Sequence, residues 1–293
     1  MDGILVLDKP RGISSHDAVQ KIRRLIHVRR VGHLGTLDPL GTGVLPLVIG
    51  RATRLSQFFL RHDRTYEAVI RFGFATDTYD SCGEPVGEPR QVSLSRRQIE
   101  EALSRFRGEI LQTPPSVSAK KIEGVPAYKL ARKKQPVRLD PVTVRVHELT
   151  LLDGEGERAR IRVRCSAGTY VRSLAHDAGE VLGCGAHIEE LRRTAMGEFT
   201  IEQAHTLEQV AELCRQQRVD ELLVPPGRVL PEIPVEHVDV VTALQIAHGR
   251  DFRVSAFRNR QGASRIKAVD PDGRLVAIAE ARLPLVYHPI VVL

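Results

Sequence analysis

The sequence predicts an α+β protein with a small, β-rich module at its C-terminal end. Three observations carry that prediction. Stretches that alternate apolar and polar residues, "TYEAVIRFGF" (65–74), "VTVRVHELTLL" (142–152) and "RARIRVRCSA" (158–167), read as half-buried strands. Amphipathic helices lie among them in an order that lacks the regular βαβ alternation of a doubly wound sheet. Pro225, Pro226, Pro231 and Pro234 then crowd residues 225–234 and mark a linker. At 293 residues and 42% hydrophobic, the chain suits a large domain (1–224), that linker, and a small domain (235–293).

The elements follow in order. "ILVL" (4–7) is a short buried strand, ended by Lys9-Pro10-Arg11-Gly12. Ser14 and Asp17 form a capping box that opens a helix with Ala18, Val19, Ile22, Leu25 and Ile26 on one face. "VLPLVIG" (44–50) is a buried strand, and Ala52, Leu55, Phe58 and Phe59 mark a short helix. In the 65–74 strand, Tyr66, Ala68, Ile70 and Phe72 share a face. A turn-rich loop (75–89) precedes a second capping box, Ser95 with Gln98, and a helix carrying Ile99, Leu103 and Phe106. Residues 112–140 read as an inserted, irregular and mobile segment that runs into the basic "KLARKKQPVR". The strands at 142–152 and 158–167 make a hairpin with a turn longer than the tightest class. "GTYVRSLAHDAGEVLG" (168–183) turns from strand to helix, "EELRRTAMGEFT" (189–200) is a short strand or loop, and 207–217 is helical. Beyond the linker, 240–249 is a helix ended by Gly249. "RIKAVD", "RLVAIAEA" and "LVYHPIVVL" are strands, with a hairpin turn at 270–273.

Net charge is +7 and the pI about 9.5, which favours a polyanionic partner. The positive charge is distributed in "RRLIHVRR" (23–30), "ARKKQPVR" (131–138), "RIRVR" (160–164), Arg192-Arg193 and "RVSAFRNRQGASRIK" (253–267). That pattern suits a basic face on a folded body. Tryptophan is absent and aromatics are 4%, so grip on a nucleic acid would come from phosphate contacts more than from stacking platforms. No run approaches the roughly 18 apolar residues of a membrane span, and the N-terminus lacks the features of a signal peptide, so a cytoplasmic protein is expected. Cys82, Cys165, Cys184 and Cys214 form no CxxC pair. His27, His33, His176 and His187 show no metal-ligand spacing and read as structural or solvated. No metal and no cofactor are expected.

Phosphate-loop, GxSxG and HExxH motifs are absent. What remains is "GHLGTLDPLGTGVLP" (32–46), which holds four glycines and one acidic residue, Asp38. Asp-Pro followed by Leu-Gly is a turn signal, and a turn alone would account for Asp38. Alternatively Asp38 is a nucleophilic carboxylate that glycines let a ligand approach. Such a carboxylate needs an arginine to hold it ionised when desolvated. Arg172 is two residues from Tyr170, on the same face if that stretch is extended.

The same residues carry a family resemblance. "GHLGTLDPLGTGVLPL" (32–47) resembles the catalytic motif of TruB-type tRNA pseudouridine synthases. "LDKPRGISSHDAV" (7–19), "RTYEA" (64–68), "GFATDTYDSCGEP" (73–85), "QTPPSVSAKKIEGVPAYKLAR" (112–132), "CSAGTYVRSLAHDAGEVLG" (165–183) and "LRRTAMGEF" (191–199) resemble its other blocks, in order. Residues after about 230 are more loosely similar to a PUA-type RNA-binding module. The family usually has alanine at the place of Gly41, and extra loop flexibility is the expected consequence. Segment 131–138 is shorter than the insertions of some relatives.

The resemblance implies a pseudouridine-synthase fold, with a mixed, mainly antiparallel sheet flanked by helices. It implies isomerisation of uridine 55 in the tRNA T loop, with base flipping and no cofactor. Asp38 is then the nucleophile, Arg172 its partner, and Tyr66 the residue that stacks on the base and assists proton removal. Lys9 and Pro10 brace the catalytic loop. Gly35, Thr36 and Leu37 belong to that loop, Tyr170 and Leu191 line the pocket, and His33 stacks within the RNA loop. Attack at sugar C1′, attack at base C6 and assistance in sugar deprotonation all remain open for Asp38. The T stem-loop of tRNA is the implied partner; a monomer with no obligate protein partner is expected. Two other readings stand beside this one: a non-catalytic tRNA-folding module of the same fold, and a metal-dependent RNA hydrolase using Asp38, Asp77 and Asp80.

Overall fold

Strand β1 (Gly3–Lys9) begins the chain, and its alternation decides where everything after it can pack. Leu5, Leu7 and Lys9 point to one face of the sheet, Ile4 and Val6 to the other, and all five are buried. The structure is a computed structural model that describes residues 1–118, 120–122, 124–127, 139–255 and 263–293. The predicted basic segment 131–138 and part of the 253–267 cluster lie outside the described residues.

Helix α1 (Ser15–Ile26) has the Ser14/Asp17 capping box in full. Strands β2 (Val31–His33) and β3 (Thr42–Ile49) flank the glycine-rich loop. The helix expected next is a 3₁₀ helix over Gly50–Phe59. Strand β4 (Arg64–Phe72) buries Tyr66, Ala68, Ile70 and Phe72, as its alternation predicts. The turn-rich loop contains a small hairpin, β5 (Ala75–Thr76) with β6 (Pro85–Val86). Helix α2 (Arg96–Ser104) follows, with its Ser95/Gln98 capping box in full. Strand β7 (Gly108–Gln112) had no counterpart in the sequence reading, because only Gln112 of its residues is buried and the alternation is too weak to see. The short pair β8 (Lys121–Ile122) and β9 (Val125–Pro126) comes next.

Strands β10 (Val142–Glu155) and β11 (Arg158–Cys165) form the predicted hairpin. Its turn is tighter than expected. Glu155 pairs with Arg158, leaving two residues in the turn, and Gly156 takes φ +67°. A register shift between Leu151 and Asp153 absorbs the length the sequence assigned to the turn.

Helix α3 (Val171–Val181) begins immediately after Tyr170, which is its N-cap. Tyr170 and Arg172 therefore do not share the face of an extended stretch. The stretch expected to be a short strand or loop is an eleven-residue strand, β12 (Ala186–Met196), joined by β13 (Phe199–Thr200). The adjacent Arg192 and Arg193 disguised it, because they break the alternation: Arg193 is fully buried. Helix α4 (Leu207–Arg215) follows, and β14 (Leu223–Val224) completes the large sheet, whose main path is β14-β1-β3-β12-β4-β11-β10-β7. It is antiparallel throughout except at β3–β12, where Thr42 and Gly43 pair with Arg192 and Arg193 in parallel.

The face bearing Leu5, Leu45, Tyr66, Ile161 and Leu191 is covered by α1 to α4 through Ile22, Ile99, Leu174 and Val210. The 3₁₀ helix and the C-terminal module cover part of the opposite face. There Ile4, Val6, Val44, Val48 and Phe59 meet Val229, Leu230, Val269, Leu275, Ile278 and Val291 in one core. Residues 225–234 are therefore not an open tether, since Val229 and Leu230 are buried in that core.

The module has the predicted strands. Its sheet runs β15 (Val235–His237), β17 (Arg265–Val269), β18 (Leu275–Leu283), β19 (Val286–Val292) and β16 (Phe252–Arg253), with helix α5 (Val240–Ala247) alongside. A chain ended at Leu230 bares the apolar rear of β1 and β3. We expect its urea midpoint to fall by an amount worth on the order of several kcal/mol. An unchanged midpoint would show that the two parts are energetically separate.

Candidate active site

The loop between β2 and β3 is held from three sides. Ser15 Oγ accepts from the Leu37 N–H (2.8 Å) and donates to the Leu37 carbonyl (2.9 Å). The Gly12 N–H donates to the Pro39 carbonyl at 2.8 Å. Arg193 reaches up from β12 and donates to the carbonyls of Val44 (2.7 Å), Gly35 (3.2 Å) and Thr36 (3.3 Å). The Gly41 N–H donates to the Asp38 carbonyl at 3.0 Å, so the turn suggested by Asp-Pro-Leu-Gly is real. It also presents the Asp38 carboxylate, which is about one-third exposed.

Two glycines here answer steric needs. Gly43 has φ +96°, and a Cβ on it would collide with the Arg193 carbonyl across the parallel β3–β12 contact. Gly41 has no such φ; a Cβ there would lie 2.9 Å from Leu37 Cδ1. Its role is room for Leu37, where flexibility had been expected.

Arg172, at the start of α3, meets Asp38. Its Nε lies 2.9 Å from Asp38 Oδ2, and its side chain is 3% exposed. That N–H is not directed along the contact, which is thus an ion pair more than a hydrogen bond and leaves the carboxylate's lone pairs free. The other guanidinium nitrogens are committed. Nη1 donates to the Thr78 carbonyl (2.8 Å) and lies 3.4 Å from Asp80 Oδ2, and Nη2 donates to the Val117 carbonyl (2.9 Å). Gln112 secures the start of the helix, accepting from the Tyr170 N–H (2.8 Å) and donating to the Tyr170 carbonyl (3.0 Å).

Asp38 and Arg172 stand on the wall of a cavity of about 200 Å³. Thr36, Leu37, Tyr66, Tyr170 and Leu191 complete much of that wall, together with Arg64, Gly168, Thr169 and Val171. The sequence reading thus brings seven of its named residues to one cavity. Lys9, Pro10, His33 and Gly35 stand outside the wall. Pro10 is exposed, and its carbonyl accepts from Lys9 Nζ at 2.9 Å. Ser15, Gln112 and Arg193 were not singled out, and Asp80, named only for the metal-dependent hydrolase reading, is instead a partner of Arg172. For Arg193 a signal existed: it lies two residues beyond Leu191, hence on the same strand face.

Electrostatics sharpen the picture. Burial raises the pKa of Tyr66, and the neighbouring Arg193 guanidinium opposes that rise by charge and hydrogen bonding. Burial likewise raises Tyr170 and lowers His33. Lys9 is fully buried and donates to the carbonyls of Ile13 (2.8 Å) and Pro39 (3.5 Å), which ties β1 to the loop. Burial lowers its pKa to about 8, against a pull upward from Asp38 and a further push downward from Arg193. From pH 8 to 10.5 the unfolded chain keeps a proton on this lysine that the folded chain has released. Stability therefore rises with pH across that window. Between about pH 7.5 and pH 9.5 the wild type should gain about 1–2 kcal/mol over Lys9→Met in urea unfolding. A constant gap between the two proteins would contradict this.

Among the described residues no group of three or more His, Cys, Asp or Glu side chains is arranged to hold a metal ion. Asp38 and Asp80 instead share Arg172. No described helix is long and apolar enough to cross a membrane.

This mixed sheet, with a carboxylate held by arginine over a cavity floored by tyrosine, defines the class as pseudouridine synthases. Residues 23–171 match the TruB family pseudouridylate synthase N-terminal domain, residues 172–230 match the tRNA pseudouridylate synthase B C-terminal domain, and the chain belongs to the TruB family. A protein named tRNA pseudouridine synthase B from Solibacter usitatus (strain Ellin6076) is 55% identical over 293 residues, all of both chains. One of the same name from Burkholderia pseudomallei (strain 668) is 43% identical over 284 residues, 96% of this chain and 93% of that one. Among solved structures, a chain of an H/ACA ribonucleoprotein bound to a substrate RNA containing 2′-deoxyuridine is 25% identical with a TM-score of 0.73. The match covers 99% of this chain and 84% of that one.

Proposed function

We propose that the protein converts uridine 55 in the T loop of tRNA to pseudouridine, in the cytoplasm, as a monomer that needs no metal or other cofactor. The observation that carries this is the Asp38 carboxylate paired with buried Arg172 on the wall of a cavity suited to one flipped nucleotide. The net reaction breaks the N1–C1′ bond and forms a C5–C1′ bond. A proton leaves C5 and N1 acquires one. Nothing is oxidised and no group departs, so the chemistry asks for a nucleophile, a dry pocket and a hold on the detached base.

Asp38 supplies the carboxylate, whether it adds to C1′, adds to C6 or assists deprotonation of the sugar; the geometry serves all three. Arg172 sets its positive charge 2.9 Å from that carboxylate. The Tyr66 ring stacks on the base. Its hydroxyl takes the C5 proton only after giving up its own, which burial disfavours and the Arg193 charge favours. Tyr170, Leu37 and Leu191 exclude water around the base. Lys9 and Pro10 brace the loop, Gly35 and Thr36 form its bend, and His33 fills the space the flipped bases leave in the RNA. We assign phosphate grip to segment 112–140 and RNA binding to a PUA-like domain at 235–293, joined through 225–234 to a catalytic domain at 1–224.

The test is tritium release from a T-arm hairpin made with 5-tritiated uridine, in excess EDTA, beside a hairpin whose target uridine is cytidine. Release from the first hairpin that stops at the cytidine substitution is the expected result. RNA bound and folded without release would mark a binding protein instead.

A further inference from the structure

The cations around the cavity differ in what they hold. Arg172 is committed to Asp38, Asp80 and two carbonyls. Arg193 and Lys9 each donate to three carbonyls. Arg64, the first residue of β4, also lines the cavity and is only half-buried. Among the described residues its guanidinium has neither a carboxylate nor a hydrogen-bond acceptor. The adjacent Asp63 is engaged elsewhere, with Arg164 and His147 at 3.1 Å each. Arg64 does have a fixed seat. Its Nη2 is 2.9 Å from where a Cβ on Gly35 would stand, so Gly35, at φ +87°, leaves room for the guanidinium against the catalytic loop. A planar fork of five donors, two positions from the base-stacking Tyr66, is thus held at the cavity with no anion to bind.

We propose that Arg64 binds one of the two phosphodiesters that flank the flipped uridine. This rests on the reading of the cavity as a uridine pocket. A flipped nucleotide carries its own phosphates to the cavity rim, and a guanidinium meets a phosphate with two parallel hydrogen bonds. The contact holds the extruded backbone, so its energy offsets the cost of unstacking the base. It acts on affinity, because the phosphate's charge does not change as the glycosidic bond breaks.

The experiment compares wild type, Arg64→Gln and Arg64→Lys on the tritiated T-arm hairpin. It uses the all-phosphate RNA and two RNAs in which one flanking phosphate is a neutral methylphosphonate. Arg64→Gln should raise Kd and KM about tenfold or more and lower the slope of log Kd against log salt by about one phosphate. Arg64→Lys should fall between, keeping the charge and losing the fork. One methylphosphonate should weaken wild type by a similar factor and Arg64→Gln hardly at all. Equal methylphosphonate penalties in both proteins would overturn the proposal, as would an unchanged Kd and salt slope in Arg64→Gln. If Arg64→Gln does not fold, Arg64→Lys with the methylphosphonates decides the question alone. Absence of tritium release by wild type would remove the uridine-pocket reading itself, and this proposal with it.

Discussion

Asp38→Asn should bind T-arm RNA as tightly as wild type and release tritium at least about 10³-fold more slowly. The change keeps the size of the side chain and removes its charge. Binding is expected to survive because the loop is anchored without the Asp38 carboxylate: Ser15, Gly12, Lys9 and Arg193 hold its neighbours through backbone groups. Turnover fails because all three first steps open to Asp38 require an ionised carboxylate. Arg172 would also lose its partner at 2.9 Å, while keeping Asp80 and its two carbonyls. The helix start and the cavity wall should therefore remain. Single-turnover tritium release together with Kd by filter binding checks both halves. Turnover within tenfold of wild type would remove Asp38 from the chemistry.

Arg193→Met is expected to cost about 2–4 kcal/mol in urea unfolding and at least about 10²-fold in turnover. Two effects oppose each other. Deleting a fully buried guanidinium relieves a desolvation cost, which is why burial lowers the pKa of Arg193. Against this, the carbonyls of Gly35, Thr36 and Val44 lose their donor together, at about 1–3 kcal/mol for each group left unsatisfied. Three stranded acceptors outweigh one relieved charge. The loss in turnover is the larger signal, because Gly35 and Thr36 lead directly into Asp38, and a misplacement of about 1 Å can cost about 10²-fold. The Tyr66 phenol would also lose the cation that opposes its raised pKa, so the remaining activity should shift toward higher pH. Wild-type turnover in a destabilised Arg193→Met would show that the loop carbonyls need no such anchor.

Much of this site was legible in the sequence, and the reason differs from residue to residue. Tyr66 lies on a strand, where a period of two puts a residue on a known face once its neighbours are seen to be apolar, whereas Leu191 came only from the family resemblance. Asp38 stood out because it was the sole carboxylate in a run of glycines. The family blocks then linked Arg172 to it across more than a hundred positions, which no local pattern could do. Arg193 was read with Arg192 as surface charge because an arginine looks the same on paper whether it faces water or three carbonyls. Strand β7 was missed because its alternation is hidden when one residue of five is buried. The prolines marked a linker and said nothing of its burial: residues 225–234 pack Val229 and Leu230 into a shared core.

By itself the sequence determined the local elements, namely the capping boxes of α1 and α2, the faces of β4 and β11, and the turn that presents Asp38. These depend on interactions a few residues apart, which composition and period record. Only the tertiary structure decided that α3 begins at Val171 and aims Arg172 at Asp38. It also decided that β12 runs beside β3, bringing Arg193 beneath the loop, and that the C-terminal module shares a core with the rear of the sheet. Those outcomes rest on contacts between residues more than a hundred positions apart. There the physical deciding factor is which buried charge and which apolar face can be satisfied together, and that is settled only when the whole chain packs.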